Sequence, residues 1–465
     1  MKKLHRITVA ALALAASSTS FAAGEATNVI FFLGDGMGPT TVTASRIYKY
    51  GETGQLAMES LRRTARIKTY SNDAQTTDSA PSMAAYMTGV KMNNEVLSMS
   101  QDTKAYNGTK PYYSGADSTC PATGNGTSVP TLLELAKAAG KSVGAVTTTR
   151  ITHATPAATY AHICHRDGEN NIAAQAVPGS GQFNTALGSG VDVLLGGGAK
   201  FFLPNTVTGG KRTDGQDLTA LLQKAGYTYV TTGTVLQAVD AGTTKLVGLF
   251  NPDHLNYELD RVKKKLDEPS LADMTEKAIK VLQKNSKGYF LMVEGGRIDH
   301  ALHGTNAKRA LEDTIAFDEA IRRALSLVDT KNTLIVVTAD HDHTMTFNGY
   351  SHRGNPILGK STDIKSTAVQ GKPVLATAAD GKPYTTLVFG NGGGPRKASR
   401  DDLTAVDTAD DDYLQEVAVS LGNPGSETHG GGDVMLFATG AGSSAFKGTM
   451  VNTKVFGLVK AASGL

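Results

Sequence analysis

Four short apolar runs end abruptly in glycine or in an acid, and this pattern constrains the fold more than any other feature of the chain. Val29–Leu33 runs into Gly34-Asp35, and Val191–Leu195 runs into Gly196-Gly197-Gly198. Tyr289–Val293 stops at Glu294-Gly295-Gly296, and Leu334–Thr338 at Ala339-Asp340-His341. Apolar runs bounded by turn residues read as strands buried in a largely parallel sheet. Helical patterns lie between them: Pro130–Ala139 opens after Ser128 and stops at Gly140, Ser270–Gln283 follows Pro269, and Asn306–Leu327 carries apolar residues at helical spacing. Alternating strands and helices predict a doubly wound α/β core with flanking helices, whose ligands sit beyond the carboxyl ends of the strands. Asp35, Glu294 and Asp340 stand at those ends.

From about 350 to 427 the texture changes to Gly, Pro, Asp and Thr with short strand-like pieces such as Thr385–Phe389. A structureless connection of that length is uncommon in a compact domain, so the segment is expected to be an inserted β-rich subdomain. The chain then divides into a core over 23–349, the insertion over 350–427, and a return to the core over 428–465, entered at His429 and the run Val434–Phe437. The 51 glycines cluster at Gly34–Gly38, Gly196–Gly198, Gly392–Gly394 and Gly430–Gly432, where backbone is expected to approach something closely.

The formal charge of +3 comes from 46 Lys and Arg against 43 Asp and Glu. Lys2, Lys3 and Arg6 supply the whole excess, ahead of the apolar run Ile7–Ala16 and the small-x-small site Ser20-Phe21-Ala22. This layout predicts a signal peptide over 1–22 and a periplasmic or secreted protein. Without it the chain is formally neutral, which removes the composition argument for a nucleic-acid or anionic-membrane partner. No later apolar stretch is long enough to span a bilayer. In an exported chain the two cysteines, Cys120 and Cys164, are expected to form one disulfide, two free thiols being the alternative.

Glu294, Asp299, His300 and His303 fall within ten residues, and Asp340, His341, Asp342 and His343 form a second cluster. Asp299 and His303 are four apart, on one face of a helical turn, the spacing that lets two side chains grip one metal. Either cluster alone also describes a solvated loop with capping acids; together, at strand ends, they favour a multi-metal site. Ser79 in Thr77-Asp78-Ser79-Ala80-Pro81 is the nucleophile candidate. On its own that pentapeptide reads as a helix cap, but a neighbouring metal would favour the serine alkoxide.

These residues resemble the alkaline phosphatase family over nearly the whole mature chain. The carriers are Asn28 to Gly38 with Asp35, Asp78-Ser79-Ala80 followed by Thr88-Gly89-Val90-Lys91, His153-Ala154-Thr155-Pro156-Ala157 with Arg166, and then Glu294, Asp299, His303, Asp340, His341 and His429. The resemblance implies hydrolysis of phosphate monoesters through a phosphoserine on Ser79. It implies one zinc on Asp299, His303 and His429, a second on Asp340, His341 and Asp35, and a magnesium on Asp35, Thr155 and Glu294. Imidazole-containing sets suit zinc and an all-oxygen set suits magnesium. Arg166 would fork onto two phosphoryl oxygens. His153 and His300 resemble the pair of the animal-type and some marine bacterial enzymes and would reach phosphate or the magnesium-bound water indirectly. Asp78 and His343 would hold and orient their neighbours. The insertion resembles that branch's crown, and the family suggests a homodimer.

Two rivals remain within the superfamily and one outside it. A sulfatase needs Arg four residues after the nucleophile, where this chain has Met83. A phosphodiesterase would use a similar two-metal site, although Arg166 favours a substrate with free oxygens. A non-catalytic phosphate- or metal-binding protein would not need Ser79. One departure from the branch concerns calcium: Gly248–Pro252 resembles part of a calcium site, but neutral Asn251 stands where Glu is expected and the loop 199–209 lacks the expected acid. No tight fourth metal is expected near Phe250 and Asp267.

Overall fold

The computed structural model describes residues 25–393, 399–422 and 426–465; the expected signal peptide over 1–22 lies outside them. Ten strands form one sheet: β1 (Asn28–Gly34), β2 (Arg63–Lys68), β3 (Ser142–Arg150), β4 (Val193–Gly197), β5 (Thr228–Val230), β6 (Leu246–Leu249), β7 (Tyr289–Gly295), β8 (Thr333–Ala339), β9 (Val434–Gly440) and β10 (Gly448–Val451). Their spatial order is β10-β2-β9-β8-β1-β7-β3-β4-β6-β5. β1 lies at the centre, parallel to β7 on one side (Leu33 opposite Glu294) and to β8 on the other (Leu33 opposite Thr338). That register sets Asp35, Glu294 and Asp340 at one edge of three adjacent strands. The exception to the parallel pattern is β9, antiparallel to β8 and β2. An apolar run such as Val434–Phe437 carries no signal of direction, because both orientations bury the same side chains.

The central strands are buried on both faces, and Phe31, Phe32, Phe290 and Phe317 are among the largest side chains wholly removed from solvent. Helices cover both faces. The helix Leu271–Leu282 opens with a capping box between Ser270 and Asp273, and Ala307–Leu327 is capped by Asn306, whose side chain accepts from Arg309 N–H. The helix expected after Ser128 instead begins at Leu132, with Thr131 as cap and Glu134 closing the box. Two acceptors satisfy two donors that the first turn leaves unpaired, and Ser128 offers no such partner three residues on.

Between β8 and β9 the chain builds a three-stranded sheet from Met345–Phe347, Leu387–Gly392 and Val417–Ser420. Asp342–His343 pairs with His429–Gly430, setting His343 directly opposite His429. Cys120 and Cys164 are bonded, with Cα atoms 6.0 Å apart. Cys164 is two residues before Arg166, so the bond ties the hairpins at Tyr106–Pro111 and Tyr113–Ser118 to the arginine's segment. No helix among the described residues is long and apolar enough to cross a membrane.

Candidate active site

Ser79 is the first residue of the helix Ser79–Thr88, and Asp78 caps it by accepting from Ala80 N–H at 2.7 Å. The cap and nucleophile readings of this pentapeptide are therefore compatible. The helix is fastened to the end of β8 by Ser82 Oγ–H donating to Asp340 C=O (2.6 Å) and Tyr86 O–H donating to Ala339 C=O (2.9 Å). Ser79, 2 % exposed, is thereby held with its Oγ 3.4 Å from Asp35 Oδ1 and 3.3 Å from His341 Nε2.

Asp35 and Asp340 meet where β1 and β8 end. Gly36 N–H donates to Asp340 Oδ1 at 3.0 Å. Gly36 has φ +65°, and a Cβ there would lie 2.4 Å from His343 Cδ2, so both conformation and space require glycine. Three groups of side chains offer ligand atoms within 4.8 Å of one another: Asp299, His303, His343 and His429; Asp35, Asp299 and His341; and Asp35, His153 and Glu294. Asp340 Oδ2 lies 3.5 Å from His341 Nε2, which is 3.2 Å from Asp35 Oδ1. Thr155 Oγ1–H donates to Asp35 Oδ2 at 3.4 Å. The site residues singled out from sequence thus converge on one place. His153 joins Asp35 and Glu294 in one of these groups, and His343 joins Asp299, His303 and His429 in another.

Electrostatics explains what such a place demands. Burial, then the charges of Asp299 and Glu294, holds the Asp35 carboxyl well above its usual range. Burial, then the charge of Asp35, pushes Asp340 up to about 8, and burial pushes Glu294 up to about 7. Asp299 behaves oppositely: burial opposes ionisation, but His303, His343 and His429 together hold it well below the carboxylate range. His343 is raised to about 10 because its bonds to Asp299 and Glu427 outweigh burial. Glu294 Oε1 and Asp340 Oδ2 are buried without a hydrogen-bond partner among the described residues. Buried carboxylates short of donors call for cations, and oxygen and imidazole together suit magnesium and zinc. The residues present fit those ions.

Arg166 supplies the local positive charge. Its Nη1–H donates to Asp78 Oδ1 (3.1 Å), and its Nη2 is 3.0 Å from His153 Nε2. Burial opposes the guanidinium charge, but Asp78 and Glu95 raise its pKa further still. His300 stands behind His153, their ring centroids 5.4 Å apart, with Arg297 Nη1 2.7 Å from His300 Nδ1.

Sequence reasoning missed Glu427, Thr147, Thr149 and His254. Thr147 and Thr149 donate to Glu294 Oε2, the latter at 3.1 Å; their signal was a threonine run at the end of β3. His254 packs its ring 4.3 Å from that of His300, and a lone histidine in a loop carries no signal. Glu427, two residues before His429, accepts from His343 Nδ1–H.

A serine at a helix start, set among buried acids and imidazoles at the carboxyl ends of a largely parallel sheet, is an arrangement suited to the hydrolysis of an ester. The alkaline phosphatase family model matches residues 26–465, and the chain belongs to that family. It is 40% identical over 447 residues to the tissue-nonspecific alkaline phosphatase of Rattus norvegicus, covering 89% of this chain and 79% of the relative. It is 39% identical over 445 residues to an alkaline phosphatase of Gadus morhua, covering 90% and 87%. Among solved structures, the Thermus thermophilus alkaline phosphatase superposes with a TM-score of 0.69 at 27% identity, covering 98% of this chain and 96% of that one. The enzyme from the Antarctic bacterium TAB5 shares the fold, with a TM-score of 0.64 at 23% identity over 94% and 98%. The chain is a phosphoric monoester hydrolase.

Proposed function

We propose that hydrolysis proceeds through a phosphoserine on Ser79, in a site that holds two zinc ions and one magnesium. Asp299, His303 and His429 would hold one zinc, Asp35, Asp340 and His341 the other, and Asp35, Thr155 and Glu294 the magnesium. The observation that carries this reading is the position of Ser79 Oγ, within 3.4 Å of Asp35 and His341 inside a carboxylate cluster short of countercharge. When bound, the ions supply Lewis-acid charge that favours the serine alkoxide and offsets the charge of the phosphoryl and departing oxygens.

The chain's own residues do the rest. The Asp78 cap and the ties of Ser82 and Tyr86 aim Oγ at phosphorus, and the Ser79 proton faces Asp35 Oδ1 and His341 Nε2. Attack forms the Ser79 O–P bond and breaks the bond to the alcohol, which leaves taking up a proton. Water then attacks phosphorus, the serine bond breaks and inorganic phosphate departs. Arg166, its plane steadied by Asp78, faces two phosphoryl oxygens with its fork. Recognition falls on the phosphate, which leaves the alcohol free to vary.

Replacing Ser79 with Ala tests this: activity toward aryl phosphate monoesters should fall by roughly 10³-fold or more with the metal complement unchanged. Retained activity would defeat the phosphoserine route. Diesters should be cleaved far more slowly than monoesters, and a diester preference would overturn the substrate class.

We further infer that the protein is exported and dimeric. The basic-then-apolar N-terminal layout and the Cys120–Cys164 bond support export. The apolar side chains exposed on the insertion, Tyr350 at 88 % and Val369 at 87 %, support a second copy as partner.

A further inference from the structure

We infer that Glu427 is a positioning residue for the Asp299–His303–His429 group, and that it fastens both ends of the inserted segment to that group. The inference rests on the reading that this group holds a zinc. Glu427 is 1 % exposed, although it lies in a loop beside Ser426 and Thr428. Every polar atom it has is used. Oε1 accepts from Thr344 N–H and from Thr344 Oγ1–H, both at 2.6 Å. Oε2 accepts from His343 Nδ1–H. Its backbone N–H donates to His303 C=O at 3.0 Å, and its C=O accepts from His303 Nδ1–H at 2.5 Å.

The consequence is a choice of ring nitrogen. With Nδ1 of His303 committed to the Glu427 carbonyl, its Nε2 is left as the atom that faces Asp299 Oδ1, 3.3 Å away. His429 is set the same way: its Nδ1–H donates to Thr77 C=O at 2.8 Å, and its Nε2 lies 3.1 Å from that of His303. His343, held at Nδ1 by the Glu427 carboxylate, puts Nε2 2.7 Å from Asp299 Oδ1. Glu427 therefore controls His303 through its backbone and Asp299 through His343. The partner of a ligating imidazole's second nitrogen fixes the ring's tautomer and orientation, and its loss costs about 10–100-fold in metal affinity.

The same side chain closes a loop in the topology. Thr344 and His343 stand where the chain leaves the core, and Glu427 where it returns. The carboxylate of Glu427 thus joins the two stems of the insertion to each other and, through His343, to Asp299, while its backbone holds His303. A displacement of either stem would be felt at Asp299 and His303 without any residue of the insertion touching substrate.

The test is the release of zinc from the intact protein to a competing chelator, followed by metal analysis. Glu427→Ala keeps the backbone bonds to His303 but frees His343 and, through it, Asp299, so one of two zinc ions should be held about 10-fold more weakly while the other is held as in the wild type. Turnover should recover when zinc is supplied in excess. Glu427→Gln keeps the length and the acceptor for Thr344 but sets an amide N–H₂ against His343 Nδ1. It should show the same selective loss to a smaller degree, and it serves if the alanine variant fails to fold. Zinc retention equal to wild type in a folded variant would overturn the inference, as would equal weakening of both ions alongside a lower melting temperature. A wild-type protein that bound no zinc would instead overturn the metal reading itself.

Discussion

Two clusters of acids in this molecule have opposite fates. At the carboxyl ends of β1, β7 and β8, Asp35, Glu294 and Asp340 are buried together and raised above the carboxylate range, and Glu294 and Asp340 each keep one oxygen without a hydrogen-bond partner among the described residues. Beside β6, Glu268 is also buried, yet the chain supplies its donors: Asn251 Nδ2–H at 2.7 Å, Asn256 Nδ2–H at 2.8 Å and Asn256 N–H at 2.9 Å. Neighbouring Asp267 accepts from Thr234 N–H and Oγ1–H at 2.8 and 3.0 Å. The number of carboxylates does not by itself make a cation site. What matters is whether the chain's own N–H and O–H groups already fill the lone pairs.

The comparison breaks most decisively by removing metal. Chelation should abolish monoester turnover and lower the melting temperature, whereas a calcium-selective chelator should change neither. The metal-free protein should also respond to pH with a definite sign. Asp340 and Glu294 have folded pKa values of about 8 and 7, above those of the unfolded chain. The metal-free fold therefore binds the extra protons and loses stability as pH rises from about 4 to 8. Its melting temperature at pH 8.5 should fall below that at pH 5.5 by roughly 5 °C or more, as scanning calorimetry would reveal. A higher value at pH 8.5 would mean that these carboxylates are not repelling one another.

A smaller effect sharpens the same point. Asp340→Asn keeps the acceptor for Gly36 N–H and His341 N–H while removing one buried charge. At pH 8.5 it should raise the melting temperature of the metal-free protein by a few degrees while turnover is lost, a stability gain at the expense of function. In the second cluster, Asn251→Ala removes one donor from a buried carboxylate. Urea unfolding should show a loss of about 1–2 kcal/mol. The smallest expected effect is that of calcium on the wild type: millimolar CaCl₂ should move the melting temperature by less than about 1 °C, since mass action stabilises only where an ion binds the fold.

The two clusters also differ in how far they could be read from sequence. Asp35, Glu294 and Asp340 were legible because each stands just past an apolar run, and a buried parallel strand carries the residue at its carboxyl end to one edge of the sheet. Asp299 and His303 were legible from helical spacing. Glu427 was not, because an acid in a Ser- and Gly-rich return loop looks like any solvated acid until Thr344 and His343 are seen to enclose it. The antiparallel course of β9 and the cap at Thr131 escaped for similar reasons. Direction leaves no trace in an apolar run, and a cap is decided by the residue three positions on. At Glu268 the sequence registered missing acids, but the amides that donate to its carboxylate lie at Asn251 and Asn256, and their convergence exists only in the fold.

Elemental analysis of the purified protein, equilibrated with zinc, magnesium and calcium together and then freed of loosely held ions, tests the central claim most directly. The carboxylate cluster at the strand ends should retain two zinc ions and one magnesium per chain, and the Glu268 region should retain no stoichiometric calcium. A protein that retained calcium and no zinc would contradict both halves of the comparison.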